Sequence, residues 1–123
     1  MSAETRINEI MSSPVETISS DASASDAAAK MRAQNINALL VTTSPPSIIT
    51  STDILDAVSE GEDTTELVVS DLMTKSVETV PPTLGVQEAA AMMTTFGISH
   101  LPVVDGGDYV GMISSTDITE TLS

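Results

Sequence analysis

A chain of 123 residues with 18 Asp and Glu against 4 Lys and Arg carries a formal charge of −14, contains no cysteine, and has Phe96 and Tyr109 as its only aromatic residues. That composition excludes disulfide and thiolate chemistry and argues against a nucleic-acid reader, which needs aromatic platforms and a basic groove. The length predicts one compact globule that buries roughly two-thirds of its unfolded surface, and the short apolar runs predict neither a membrane span nor a secretion signal, so the expected location is cytoplasmic.

The predicted elements come in two matching series. Ile7, Ile10 and Met11, at the i, i+3, i+4 spacing, predict a short helical turn. An extended stretch over 15–18 follows, after Pro14. Ala24, Ala27, Ala28 and Met31 then share one helical face, with Ser23 and Asp26 spaced as an N-cap and its partner and Asn35 suited to a left-handed C-cap. Strands over 36–41 and 47–50 flank the stiff Ser44-Pro45-Pro46 turn, and a helix using Ile54 and Val58 closes the series. Residues 60–66, rich in acids and Thr, read as a solvated linker.

The second series repeats the first. Val69, Leu72 and Met73 form the opening turn, 77–80 is extended, and Val86, Ala89, Ala90 and Met93 line the helix between Gly85 with Glu88 and Gly97. Strands over 98–104 and 109–114 join at Gly106-Gly107, and Ile118 and Leu122 mark the last helix. The nine residues from Ile10 to Ile18 recur 62 positions later from Leu72 to Val80, and both series end in Ser-Thr-Asp-Ile, at 51–54 and 115–118. A two-fold repeat implies that neither half buries its apolar face alone. The expected boundaries are 1–60 for the first repeat, 61–68 for an acidic linker and 69–123 for the second.

Chemistry concentrates where a strand turns into the closing helix. Thr50-x-x-Asp53 and Ser114-x-x-Asp117 place hydroxyls and carboxylates among unpaired helix N-terminal amides, where an anion is favourable. A carboxylate can also accept from two neighbouring ribose hydroxyls. The same spacing is that of a plain capping box, which needs no ligand. Enzyme chemistry finds no support: there is one His, no Cys, no Ser-His-Asp set and no metal-spaced cluster. Gly106-Gly107-x-x-x-Gly111 joins two strands rather than opening a helix, so it is a weak phosphate-loop signal.

The element order, the Met-Ser/Thr openings, the strand Ile98-Ser99-His100-Leu101-Pro102-Val103-Val104 and the closing Gly111-Met112-Ile113-Ser114-Ser115-Thr116-Asp117-Ile118 together resemble the cystathionine-β-synthase-type (CBS) domain. Two in tandem resemble a Bateman module, here a stand-alone pair of haloarchaeal character. The resemblance implies an α+β fold of two pseudo-symmetric repeats, each a short sheet packed against helices. It implies a regulatory module, not an enzyme, with no required cofactor, that senses an adenosine-containing ligand such as AMP, ADP, ATP or S-adenosylmethionine in clefts between the repeats. A homodimer and a protein effector are the implied partners, with neither nucleic acid nor membrane.

By the same resemblance, one ligand set combines Met112, Ser114, Thr116 and Asp117 with Glu16, Ile36, Asn37 and Ala38. The other combines Ile48, Thr50, Thr52 and Asp53 with Glu78, Ile98, Ser99 and His100. Ile36, Ile98, Ile48 and Met112 would sandwich the base. The first repeat departs from the second in having Ser47 for Gly111 and Leu40 for Pro102, and the scarcity of cations favours a monophosphate or a cationic ligand over a polyphosphate. The alternative is a ligand-silent scaffold that dimerises through Ala-rich helix faces and docks through exposed methionines such as Met92.

Overall fold

The computed structural model describes residues 4–75 and 77–122, apart from the side chain of Leu122, whose expected core position lies outside the described residues. A 3-10 turn at Ile7–Glu9 is followed by β1 (Thr17–Ile18), α1 (Ala24–Gln34), β2 (Ala38–Val41), β3 (Ser47–Thr50) and α2 (Ser51–Ser59). Then come α3 (Val69–Leu72), α4 (Val86–Phe96), β4 (His100–Asp105), β5 (Asp108–Ser114) and α5 (Ser115–Leu122). The content is mixed α+β, in the predicted order.

Two compact units divide the chain: Glu16–Val77 is continuous, while the residues up to Val15 join those from Glu78 onward in the other. In the continuous unit β1 runs parallel to β2 and β2 antiparallel to β3, with Ala38 opposite Thr50 and Leu40 opposite Ile48. Alternate strand residues face one way, so Leu39, Val41 and Ile49 meet Ala27, Met31, Ile54 and Val69 in the core. In the discontinuous unit β4 and β5 pair with His100 opposite Ser114 and Pro102 opposite Met112. Leu101, Val103 and Ile113 there meet Val86, Ala89, Met93 and Ile118.

Both long helices end as their sequences predict. Asn35 (φ 55°) and Gly97 (φ 65°) take the left-handed geometry, and the Ser23 hydroxyl accepts from the Asp26 amide at 2.9 Å. At the start of α4 a different group serves. Gly85 has no side chain, and the Glu4 carboxylate accepts from the Gln87 amide at 3.2 Å instead. Two apolar expectations need correcting: Val58 is 54 % exposed because α2 turns it to solvent, and Met92 is half-buried against the core of its unit rather than free for docking.

β2 and β4 start later than predicted, since 36–37 and 98–99 precede them. The extended stretch after Val77 reduces to a single bridge from Val80 to Val103. In the continuous unit the Leu40 N–H donates to Glu16 O at 3.0 Å; Pro102, at the equivalent place, has no N–H to offer Glu78.

Each opening turn belongs to the unit of the other repeat's sheet. Ile7, fully buried, packs with Leu101 and Ile113, and Ile10 and Met11 join it from the same face. Val69, also fully buried, packs with Leu39 and Ile49. The anchoring bonds match as well: Ile7 N–H donates to Leu84 O and Val69 N–H to Ala22 O, Asn8 N–H to Pro82 O and Ser70 N–H to Ser20 O. Beyond each turn the chain lies along a sheet edge, Ser12 exchanging two hydrogen bonds with Met112 (2.9 and 3.0 Å) and Thr74 two with Ile48 (2.8 and 3.0 Å). An otherwise unpaired strand edge is thereby covered.

Candidate functional site

The two strand-to-helix junctions are built alike. Asp53 Oδ2 accepts from the Thr50 N–H at 2.9 Å while its own N–H donates to Thr50 Oγ1 at 3.3 Å. Asp117 Oδ2 accepts from the Ser114 N–H at 3.0 Å while its N–H donates to Ser114 Oγ at 3.0 Å. Both junctions are therefore reciprocal capping boxes. The capping role occupies Oδ2 alone; Oδ1 of each Asp takes no hydrogen bond among the described residues. Each half-buried Asp thus keeps a carboxylate oxygen with two lone pairs at its helix N-terminus. Capping and ligand acceptance are compatible, because they use different oxygens.

The next backbone amide at each junction is committed too. Ser51 N–H donates to Asn37 O, and Ser115 N–H to Ser99 O, both at 2.9 Å. These bonds tie the residues before β2 and β4 to the first turns of α2 and α5. The carbonyls of Asn37 and Ser99 each accept one of these bonds, while their side chains are exposed.

Glu16, Ile36, Asn37, Ala38, Ile48, Thr50, Thr52 and Asp53 all lie in the continuous unit, and Glu78, Ile98, Ser99, His100, Met112, Ser114, Thr116 and Asp117 in the other. Ala38, Ile48 and Met112 are buried, Ile36 and Ile98 half-buried, and Thr52, Thr116 and Glu78 exposed. Ser99 Oγ and His100 Nδ1 are 3.2 Å apart, a bond within the strand entrance itself. A groove of about 600 Å³ in the continuous unit, beside α1 and α2, includes Ile36, Asn37, Arg32 and Leu55. Asp53 lines a separate acidic groove of about 410 Å³ with Asp56, Glu60, Glu62 and Asp71. Among the described residues no cluster of His, Asp or Glu is placed to hold a metal ion.

Three neighbours of these sets escape a sequence reading. Ser12 and Thr74 pair beside Met112 and Ile48, two residues from the Ser114 and Thr50 caps, although their sequence neighbours read as helix. The signal was available, since Met-Ser and Met-Thr recur at the repeat offset. Lys30 donates to Thr17 O and lies 3.9 Å from a Glu16 carboxylate oxygen, a contact no local pattern announces.

The sequence profile described as CBS domain matches twice, over residues 7–60 and 69–123. This chain belongs to the CBS domain family. A relative, protein MK0525 of Methanopyrus kandleri, is 33 % identical over 94 % of the chain, which spans 58 % of that protein. Longer relatives are spanned by only about a quarter of their length. Among solved structures, a hexameric CBS-CP12 protein from bloom-forming cyanobacteria has a TM-score of 0.91 and 31 % identity, covering 96 % of this chain and 72 % of that one. The CBS domain pair of protein MJ0100, in complex with 5′-methylthioadenosine and S-adenosyl-L-methionine, has a TM-score of 0.85 and 31 % identity over 98 % of this chain and 97 % of that one. No helix among the described residues is long and apolar enough to cross a membrane.

Proposed function

We propose that this CBS pair is a regulatory module that binds an adenosine-containing ligand and passes its occupancy to a partner protein. The observation that carries the reading is the duplicated junction: Asp53 and Asp117 each cap a helix with one oxygen and keep the other for an acceptor role. Ribose hydroxyls are donors in need of such an acceptor, and charge-assisted hydrogen bonds of this kind contribute roughly 1.5–3 kcal/mol each. The proposed ligand-binding residues are those named from the family resemblance, with Asp117 and Asp53 as the ribose acceptors. The MJ0100 complexes, with two adenosine compounds, support this ligand class. The acidic composition favours a cationic or singly phosphorylated adenosine over a polyphosphate.

A homodimer is part of the proposal. Leu55 (65 % exposed) and Val58 (54 %) on α2, and Phe96 (50 %) at the end of α4, offer apolar surface that a second copy would cover. The role is regulatory rather than catalytic.

The test is a thermal-shift titration with AMP, ADP, ATP, S-adenosylmethionine and 5′-methylthioadenosine, run on wild type, Asp53→Asn and Asp117→Asn. Ligand at a hundred times its dissociation constant stabilises by about 2.7 kcal/mol. Asn retains a capping oxygen but removes the charge, so it should keep the ligand-free melting temperature and lose the ligand-induced shift. Flat curves for all five compounds would refute the adenosine reading and favour the ligand-silent scaffold.

A further inference from the structure

Within the continuous unit, α2 divides two grooves of opposite character. On one face Asp53 and Asp56, with Glu60, Glu62 and Asp71 beyond the helix, line the acidic groove. On the other, Ser51, Ile54 and Leu55 meet the end of α1, and the groove of about 600 Å³ there has Arg32 in its wall and no Asp or Glu. At 3.6 residues per turn, 51, 54 and 55 lie nearly opposite 53 and 56. In a chain with 18 acids against 4 Lys and Arg, a wall with a cation and no acid is a local exception. Its volume is that of a small-molecule site.

The polar part of this wall is unused. Arg32, Asn35 and Asn37 are exposed, and neither their side chains nor the Ser51 hydroxyl has a hydrogen bond or ion pair among the described residues. The apolar floor is Met31 and Ile54, both buried, with Ile36 half-buried and Leu55 65 % exposed at its edges. The second repeat shows which of these residues the fold itself requires. Met31, Ile36, Ser51 and Ile54 recur as Met93, Ile98, Ser115 and Ile118, whereas Arg32, Asn37 and Leu55 give way to Thr94, Ser99 and Thr119. What packs is kept, and the exposed rim is particular to the first repeat. Arg32 also suits the negative end of the α1 dipole, but the dipole gives no reason for Asn37 or for an exposed Leu55.

We propose that the groove between α1 and α2 binds a small apolar carboxylate, with Arg32, Asn37 and Ser51 at the charged group and Ile36, Ile54 and Leu55 against its tail. A guanidinium meets a carboxylate through two parallel hydrogen bonds. One cation with neutral donors matches a single negative charge, whereas a dianion would meet the field of a chain at −14 without compensation. This site does not depend on the adenosine reading. Asp53, proposed above as a ribose acceptor, lines the groove on the other face of α2. Ile36 and Asn37 are the residues common to both readings, so competition between the two ligands tests their separation.

The experiment is an NMR titration with octanoate, octan-1-ol and octylammonium, which share one tail and differ in the charge of the head group. Octanoate should give saturable shifts at the methyl groups of Met31, Ile36, Ile54 and Leu55 and at the side-chain amides of Asn35 and Asn37. The charge-assisted pair should favour it over octanol by about tenfold or more, and octylammonium should not bind. Arg32→Gln should bring octanoate to the level of octanol and leave octanol unchanged. Ala28→Leu, which fills the groove, should weaken both at an unchanged ligand-free melting temperature. No saturable shift with octanoate, equal binding of octanoate and octanol, or wild-type octanoate binding by Arg32→Gln overturns the proposal. Displacement of octanoate by adenosine would put the groove inside the adenosine site and overturn it as a separate one. Sedimentation equilibrium on the same samples covers the remaining occupant: a dimer that dissociates in Arg32→Gln, with no octanoate shift in wild type, assigns the groove to a second copy and also overturns the proposal.

Discussion

Gly111→Ala should expose how tightly the exchanged segment is seated. The backbone at Gly111 has no positive φ, so glycine is needed there for space alone. A Cβ at this position would fall 2.7 Å from Met11 Sδ and 2.8 Å from Ser12 O. The thioether can swing aside, but Ser12 O accepts from the Met112 N–H at 3.0 Å and cannot retreat without breaking that bond and its partner. Overpacking of this kind destabilises by about 1–3 kcal/mol. The alanine also narrows the unfolded ensemble, which returns about 0.4–1 kcal/mol. The net expectation is a loss of about 1–2 kcal/mol in urea unfolding, with faster amide exchange at Ser12 and Met112 than elsewhere in β5. Ser47, at the equivalent position, is the internal control: it is fully enclosed and its hydroxyl lies 2.8 Å from Thr43 Oγ1, so Ser47→Gly should bring no relief. A Gly111→Ala protein as stable as wild type, with unchanged exchange at Ser12, would refute the steric reasoning.

Two further outcomes concern charge. The Asp63 carboxyl is held below its usual pKa, first by the Thr65 hydroxyl and then by the Thr65 N–H, both of which donate to it. Its folded-state pKa is depressed, so its contribution to stability is present above the unfolded carboxylate range and fades as pH falls through the folded value; carbon-detected titration should place Asp63 below an ordinary Asp, and Thr65→Ala, which removes the hydroxyl but keeps the N–H, should return it part of the way. With a net charge of −14 and only 4 Lys and Arg to offset 18 acids, raising KCl from 0.1 to 2 M should raise the melting temperature by several degrees, since the Debye length shrinks from about 10 Å to under 3 Å. A flat calorimetric profile across that range would show that self-repulsion does not limit stability.

Local chemistry was legible and tertiary choice was not. The spacing of Ala24, Ala27 and Met31, or of Val86, Ala89 and Met93, specifies a buried face, and Asn35 and Gly97 stop the helices because few residues tolerate positive φ. The Thr50 and Ser114 junctions were readable because duplication marks them. Periodicity at Ile7, Ile10 and Met11 says that a face is buried but not against which core; the answer, Leu101 and Ile113, lies across nearly the whole chain. Glu4 capping α4 and Lys30 bonding Thr17 O share that property, being contacts between residues with no sequence relation. Val58 misled because it has the right spacing from Ile54 on a helix that nothing among the described residues covers on that side.

The exchange of opening turns also orders events on the ribosome. The Glu16–Val77 unit is continuous and has every core residue it needs once Val77 has left the exit tunnel, so it can close while the rest of the chain is still being made. Ile7 emerges far earlier, yet its core companions Leu101 and Ile113 are synthesised only after the whole of that unit. At roughly 5–20 residues per second, that segment waits for several seconds beside a finished neighbour. Its apolar face, Ile7 with Ile10 and Met11, is then open to a chaperone or to a second nascent chain, whereas the matching Val69, Leu72 and Met73 face arrives after the sheet it completes.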